Sequence, residues 1–386
     1  MTPRRKIAVV TGTRAEYGLL HPIMTAIKKD KNMELCIIAT GMHLSYEFGH
    51  TVDYIESDGF KIDAKVDTLL SDDTQVSMAK SLGVGIIGIA QALETIDPDI
   101  VLVYGDRGEP FAAAVSAAHL MIPVAHVHGG DAARGSNIDD SIRYAITKFA
   151  HIHFTATKKH AERVIRLGEE PWRVHVVGSP ALDTILHAKI PSSRDVAKIF
   201  SLDKEKQVIL VIQHPTSISV QEAAREMRQT MEALRELELQ SVVIYPNADA
   251  GGRAMIKVIK EYEKHPFIKA FKSVPRKEYL GLMRIASVMV GNSSSGIIEA
   301  PSLKLPVINI GIRQAGREKA DNVIDVGHDK DEIVNSIKKA LCDDDFKEKV
   351  RKCKNPYGDG KSSERILKIL REIEITPRLL RKQITY

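Results

Sequence analysis

A chain of 386 residues is too long for one ordinary hydrophobic core, and 44% hydrophobic with 27% charged residues is the composition of a soluble globular protein of two similar domains. Its 55 basic and 50 acidic residues leave a net charge of +5, spread through the chain, which is too mild and mixed for a nucleic-acid partner and suits an anionic small ligand. No run approaches the ~18 apolar residues of a membrane span, the apolar start breaks at Gly12 and Arg14 before it makes a signal peptide, and Cys36, Cys342 and Cys353 lack zinc spacing, which together predict a cytoplasmic protein with reduced thiols and no membrane partner.

In chain order, short apolar runs closed by Gly, Asp or Pro alternate with helical patterns, the signature of parallel sheets wrapped by helices. The first half predicts strands in "KIAVVTG", "ELCIIATG", "DIVLVYGD", "PVAHVHGG", "HIHFTAT" and "VHVVGS". Leu19, Leu20, Ile23, Met24 and Ile27 fall along one face of the helix after the first of them. At Lys206 the pattern restarts: "KQVILVIQHPTS" repeats the logic of "RKIAVVTGTRAE". "SVVIYPNADAGG", "IKAFKSV", "SVMVGNSSSG", "LPVINIG" and "NVIDVG" follow as further strand units. A linker is expected within residues 180–205, where "IPSSRD" supplies turn and cap residues. The expected fold class is α/β, two doubly wound Rossmann-like domains with an interdomain cleft. The domains are an N-terminal one over 1–185, a C-terminal one over 186–372, and a tail, 373–386, that packs back on the N-terminal domain because Leu379 and Leu380 would otherwise be exposed.

In such sheets ligands bind beyond the carboxyl ends of the strands. The polar clusters there are Thr13/Arg14/Glu16, Asp106/Arg107, His126/His128/Asp131, His214, Asn247/Asp249 and Asn292 to Ser295, all expected to face one crevice. "VGNSSSGIIEA" runs from strand through loop into helix, so Ser293, Ser294, Ser295 and Gly296 open a helix whose free N–H groups and dipole suit a phosphate. Plain N-capping by serine is the alternative. Glu299 is expected within the first turn, as a ribose acceptor or a dipole-compensating acid. Arg14, Arg313 and Arg317 follow strands, where a forked permanent charge fits a diphosphate; solvation at the surface is the plainer reading. His214 is expected to face the same crevice from the second domain, a structural role being the plainer reading of a lone histidine. Asp106 stands just past a buried strand, and Asp139 and Asp140 start a helix, one of them serving either as an N-cap or in proton transfer. Carboxylates facing each other in a closed site acquire different pKa values and divide acid and base work. The pairs "HVH" and "HIH" place both members on one strand face, but no third ligand has metal spacing, so hydrogen-bonded or titrating histidines are expected and no metal.

The blocks "TGTRAEYG", "YGDR", "HVHGGD" with "IDDSIRYAITK", "QHPTS", "YPNADAGG", "VGNSSSGIIEAPSLKLPVINIGIRQAGRE" and "NPYGDGKSSERIL" occur in an order that resembles the hydrolysing UDP-N-acetylglucosamine 2-epimerases of sialic-acid-type sugar pathways. The resemblance spans Thr11 to about Ile373. It implies the fold of the B-type glycosyltransferases and a reaction that turns UDP-N-acetylglucosamine and water into N-acetylmannosamine and UDP through 2-acetamidoglucal. It implies no metal or redox cofactor, a UDP-sugar as partner, and a homodimer or homotetramer. Nucleotide contacts are implied at Arg14, Arg107, His214, Asn247, Val274, Ser293, Ser294, Glu299 and Arg313, and catalytic groups among Asp106, His128, Asp131, Asp139 and Asp140.

The chain departs from the form that several family members share, and the loop before "IDDSIR" is longer than in that form. His128 stands where several members have glutamate, in a block reading like "HIEGGE", whose last Glu is Asp131 here, and "GDRGEP" replaces "GDRF" plus an acid, which leaves more room at Gly108. A non-hydrolysing 2-epimerase, or a hydrolysing one for a related acetamido nucleotide sugar, are the alternatives. A B-type glycosyltransferase would not need the paired carboxylates, and a non-catalytic sugar-nucleotide sensor would lack them.

Overall fold

The strands form where aliphatic, mostly β-branched runs have helices to bury both faces. The computed structural model describes residues 4–46, 49–70, 75–132, 138–187, 190–216, 219–246 and 251–386. In the first half these runs make β1 (Arg5–Thr11), β2 (Met33–Thr40), β3 (Ala64–Val66), β4 (Ile100–Tyr104), β5 (Val124–Val127), β6 (Ile152–Thr155) and β7 (Val174–Val176). They pair in parallel in the order β3-β2-β1-β4-β5-β6-β7. Central β1 sets Ala8 against Cys36 of β2 on one side and Val101 of β4 on the other, and Ile7 to Val10 are inaccessible to solvent. Edge strand β3, with the sequence AKV, escapes the sequence reading because it offers no apolar run.

The second half repeats the plan with β8 (Val208–Ile212), β9 (Gln240–Ile244), β10 (Ile268–Phe271), β11 (Val288–Gly291), β12 (Val307–Ile310) and β13 (Val323–Val326). Their order is β10-β9-β8-β11-β12-β13, again all parallel. Strand order reverses direction between β1 and β4 in one sheet and between β8 and β11 in the other. These are the two topological switch points, where loops leave for opposite faces of a sheet and open a crevice.

The chain divides into two compact units: one holds Met1–Asp131, Asn137–Thr184 and Tyr357–Tyr386, the other is built on Ile185–Pro356. The last thirty residues therefore differ from the expected division, which keeps the chain in the second domain through residue 372. The helix Ser362–Glu372 buries Ile366 and Leu370, and the turn Pro377–Leu380 buries Leu379, among Ile7, Val9, Leu20, Ile23 and Ile27 of the first unit. Helical spacing marks that apolar stripe but not the sheet it covers.

Contrary to the expectation that no run is apolar enough for a membrane span, Val76–Ile96, with a mean hydropathy of 1.5, passes that test by length and composition. Ile89, Ala92 and Leu93 of this helix lie in the first unit's core beside Ala8, Val10 and Val101, so its apolar stripe serves as a cover for the sheet.

Candidate active site

In the first unit the sites at the strand ends are assembled by one arginine. Arg143, in the helix Asp139–Phe149, is 3% exposed. It donates to the Asp131 carbonyl at 2.9 Å, and its two terminal nitrogens pair with Asp140 Oδ1 and Asp106 Oδ2. Asp106 comes from the turn after β4 and Asp140 from the first turn of the helix, so two carboxylates separated in sequence share one guanidinium. The N-cap of that helix is Ile138, which makes no side-chain cap; neither Asp139 nor Asp140 has the capping role open to them in the sequence. Asp139 is exposed and Asp140 half-buried. Arg143 is the residue the sequence reading misses, although its place three residues after Asp140 is the spacing of helical neighbours.

His128 and Asp131 form a second, deeper group. Asp131 is fully buried, with His128 Nε2 at 3.6 Å from one carboxylate oxygen and His160 Nε2 at 3.4 Å from the other. His128 stacks on Tyr104, ring centroids 5.5 Å apart. The two histidines of "HVH" do not share a strand face: β5 ends at Val127, and His128 adopts a left-handed φ of 71° that turns it out of the alternation. His126 stays in the sheet, its Nε2 2.7 Å from the Gly105 carbonyl oxygen, and burial pushes its pKa down to about 3, which leaves it neutral. In "HIH", His151 precedes β6 and accepts from the Val124 N–H, while His153 pairs with Glu169. Among the described residues, no three His, Cys, Asp or Glu side chains come together as a metal-ion site.

Arg14 opens the helix Arg14–Lys29 after β1, exposed, with its guanidinium 4.7 Å from the centroid of the Tyr54 ring. Arg107 is the exposed N-cap residue of the helix Gly108–His119. Glu16, expected only as part of the polar cluster after β1, lies in the first turn of the helix Arg14–Lys29. Its Oε2 accepts from the Gly12 N–H at 2.8 Å, and burial, with Glu109 nearby, pushes its pKa up to about 8. Between the ordinary carboxylate range and that value the unfolded chain has released this proton while the folded one keeps it. The fold therefore loses stability as pH rises across that window. Replacing Glu16 by Gln removes the titration, so the urea midpoint of the variant is expected to gain on the native protein from about pH 5 to about pH 8. A gap independent of pH would mean that the folded protein carries Glu16 ionised.

In the second unit, Asn292 fastens the two loops at the β8/β11 switch point. Its Oδ1 accepts from the His214 N–H at 2.7 Å and its Nδ2 donates to the His214 carbonyl at 2.8 Å. Its own carbonyl accepts from Arg313 at 3.0 Å and from Gln314 at 2.8 Å. Half-buried His214 and Arg313 are thus brought together through a residue that the sequence suggests only as part of a polar cluster.

Two expectations for this unit change. The helix after β11 is five residues long, Ser294–Ile298, and Ser293 does cap it by accepting from the Ser295 N–H. Ser295 Oγ lies 2.9 Å from Ser293 Oγ and 2.5 Å from the Tyr279 hydroxyl, so these hydroxyls are engaged with one another around a short dipole. Glu299 is at the C-cap of that helix rather than in its first turn, because the helix gives way to the 3₁₀ turn Ala300–Leu303. There it is buried and bound by both terminal nitrogens of Arg276, at 3.0 and 2.7 Å. A carboxylate held by one guanidinium retains lone pairs for further donors. Val274 is half-buried in the loop before the helix Arg276–Ile285. Asn247 lies outside the described residues.

Compared with known proteins, residues 25–371 match the family described as UDP-N-acetylglucosamine 2-epimerase. The chain is 40% identical to the UDP-N,N'-diacetylbacillosamine 2-epimerase (hydrolyzing) of Legionella pneumophila, over 99% of this chain and 100% of that one. It is 38% identical to the GDP/UDP-N,N'-diacetylbacillosamine 2-epimerase (hydrolyzing) of Campylobacter jejuni, over 83% and 84%. Its fold matches the crystal structure of the UDP-GlcNAc 2-epimerase from Neisseria meningitidis bound to UDP-GlcNAc with a TM-score of 0.83, at 20% identity, over 95% of this chain and 100% of that one.

Proposed function

The chain belongs to the UDP-N-acetylglucosamine 2-epimerase family, and on that footing we propose that it is a hydrolysing 2-epimerase whose substrate is UDP-N,N'-diacetylbacillosamine. The observation that carries the chemistry is the pair of carboxylates, Asp106 and Asp140, on the single buried guanidinium of Arg143. The hydrolysing reaction and the diacetylated sugar rest on the two relatives at 40% and 38% identity. UDP-N-acetylglucosamine, the substrate in the family's description, is the second reading.

Chemically, a base removes the C2 proton of the sugar while the C1–O bond breaks and its electrons leave with UDP, giving a C1=C2 double bond. Water then adds hydroxyl to C1 and a proton to C2 from the opposite face, and the free sugar leaves with C2 inverted. The C2 proton is only weakly acidic, so the base must be fixed in place and the departing diphosphate stabilised at the same time. Asp106 and Asp140, with side chains 25% and 20% exposed on the same guanidinium, are the groups able to reach a substrate, and exposed Asp139 precedes Asp140 in the helix. His128, with Asp131 beside it, stands where several members have glutamate and is assigned as the second proton carrier. We assign Arg14 and Arg107 of the first unit to the diphosphate and, within the second unit, Arg313, His214, Asn247, Val274, Ser293, Ser294 and Glu299 to nucleotide binding, with Glu299 held by Arg276.

The test offers each UDP-sugar in deuterated water and follows it by NMR. The expected result is UDP and a free C2-inverted sugar carrying deuterium at C2, formed faster from the diacetylated substrate. Epimerised sugar still joined to UDP would make the enzyme non-hydrolysing, and absence of UDP release from both would overturn the reading.

A further inference from the structure

The C-terminal segment after the helix Ser362–Glu372 has no place in the chemistry above, yet it is held by more than apolar contact. Arg173, fully buried, donates to the carbonyls of Leu379 at 2.6 Å, Arg378 at 2.8 Å and Arg381 at 3.2 Å. This clamp delivers Lys382. Its ammonium donates to the carbonyls of Thr147 at 3.1 Å and Lys148 at 2.8 Å, and pairs with Glu169 Oε2 at 2.7 Å. An ammonium has three protons and here meets three oxygens.

Thr147 and Lys148 are in the last turn of the helix Asp139–Phe149, where carbonyls lack partners within the helix and the dipole favours a cation. The first turn of the same helix carries Asp139 and Asp140, and Thr147 Oγ1 donates back to the Arg143 carbonyl at 3.0 Å. Glu169 is itself fixed: it is 1% exposed and accepts from Lys148 at 2.7 Å, with His153 Nε2 at 3.1 Å. A tail that needed only to be packed would do so more cheaply with an apolar side chain than with a lysine whose side chain is 17% exposed.

We propose that Lys382 is a positioning residue for the acid-base group: by tying the C-terminal end of the helix Asp139–Phe149 to Glu169, it sets where that helix holds Asp140 and Arg143. The proposal rests on the reading of those residues as catalytic. Burial pushes the Lys382 ammonium down to about 8, with Glu169 opposing the shift and Lys148 and Arg173 adding to it. His151 and His153, both pushed down to about 4 by burial, are neutral beside it at pH 7. At pH 7 the ion pair is therefore intact.

The test at that pH compares the native protein with Lys382→Met, which keeps the aliphatic stem, and Lys382→Arg, which keeps the charge. Lys382→Met is expected to lower kcat roughly tenfold with KM and UDP affinity within twofold, and Lys382→Arg to recover most of the loss. Amide hydrogen exchange is expected to speed up in Lys382→Met at residues 143–150 and not across the rest of the first unit. Unchanged kcat and exchange, or faster exchange throughout the unit, would overturn the proposal. If Lys382→Met does not fold, Lys382→Gln, shorter by one bond and uncharged but polar, replaces it with the same expected outcomes. If the native protein turns over neither UDP-sugar, the functional reading fails while the exchange pattern still decides the role of Lys382.

Discussion

Replacing Asp106 by Asn lowers kcat by about a thousandfold or more, the scale of a lost general base, while UDP binds within a few-fold of its native affinity. Asparagine has the shape of aspartate, and its amide oxygen still accepts from Arg143, so the turn after β4 keeps its conformation. It cannot take up a proton. The groups assigned to the nucleotide base and ribose all belong to the second unit. Release of UDP gives the rate and calorimetric titration the affinity. A variant that loses UDP affinity as steeply as turnover would make Asp106 part of nucleotide binding instead.

Replacing Arg143 by Met removes the cation that two carboxylates share and the donor to the Asp131 carbonyl, and leaves Asp106 and Asp140 repelling each other next to a vacated polar slot. Stranding partners of a buried ion pair costs about 3 kcal/mol or more, and turnover falls with it because the carboxylates no longer hold a common position. Urea denaturation measures the loss. A double-mutant cycle with Asp140→Asn separates the repulsion from the lost geometry: removing one carboxylate is expected to recover part of the stability and none of the activity. A change below about 1 kcal/mol in Arg143→Met would mean that the guanidinium is solvated in solution and does not organise the site.

The strands and the polar residues at their ends were legible because a strand covered on both faces is an unbroken apolar run, and the first residue after it that the sheet does not bury is the one offered to a ligand. Asp106 is found that way, and Asn292 is found at a strand end although the fold buries it. What pairs with what is not local. Asp106 meets Arg143 from 37 positions away and Glu299 meets Arg276 from 23, distances at which no periodicity carries information. His128 was misplaced for a different reason: alternation continues on paper, whereas β5 ends at Val127 and a left-handed residue follows. Glu16 looks like one more polar residue of the loop until its burial is known. The stripe of Ile366 and Leu370 declares a buried face without saying which sheet it meets.

That last contact sets an order on synthesis. A ribosome completes the whole of Ile185–Pro356 before it emits Tyr357–Tyr386, so the second unit has all its strands while the first still lacks Ile366, Leu370 and Leu379. Domains ordinarily acquire structure from the N-terminus forward as they emerge. Here the earlier-made half is completed later: its core gains Ile366, Leu370 and Leu379 only after every strand of the second unit has been made.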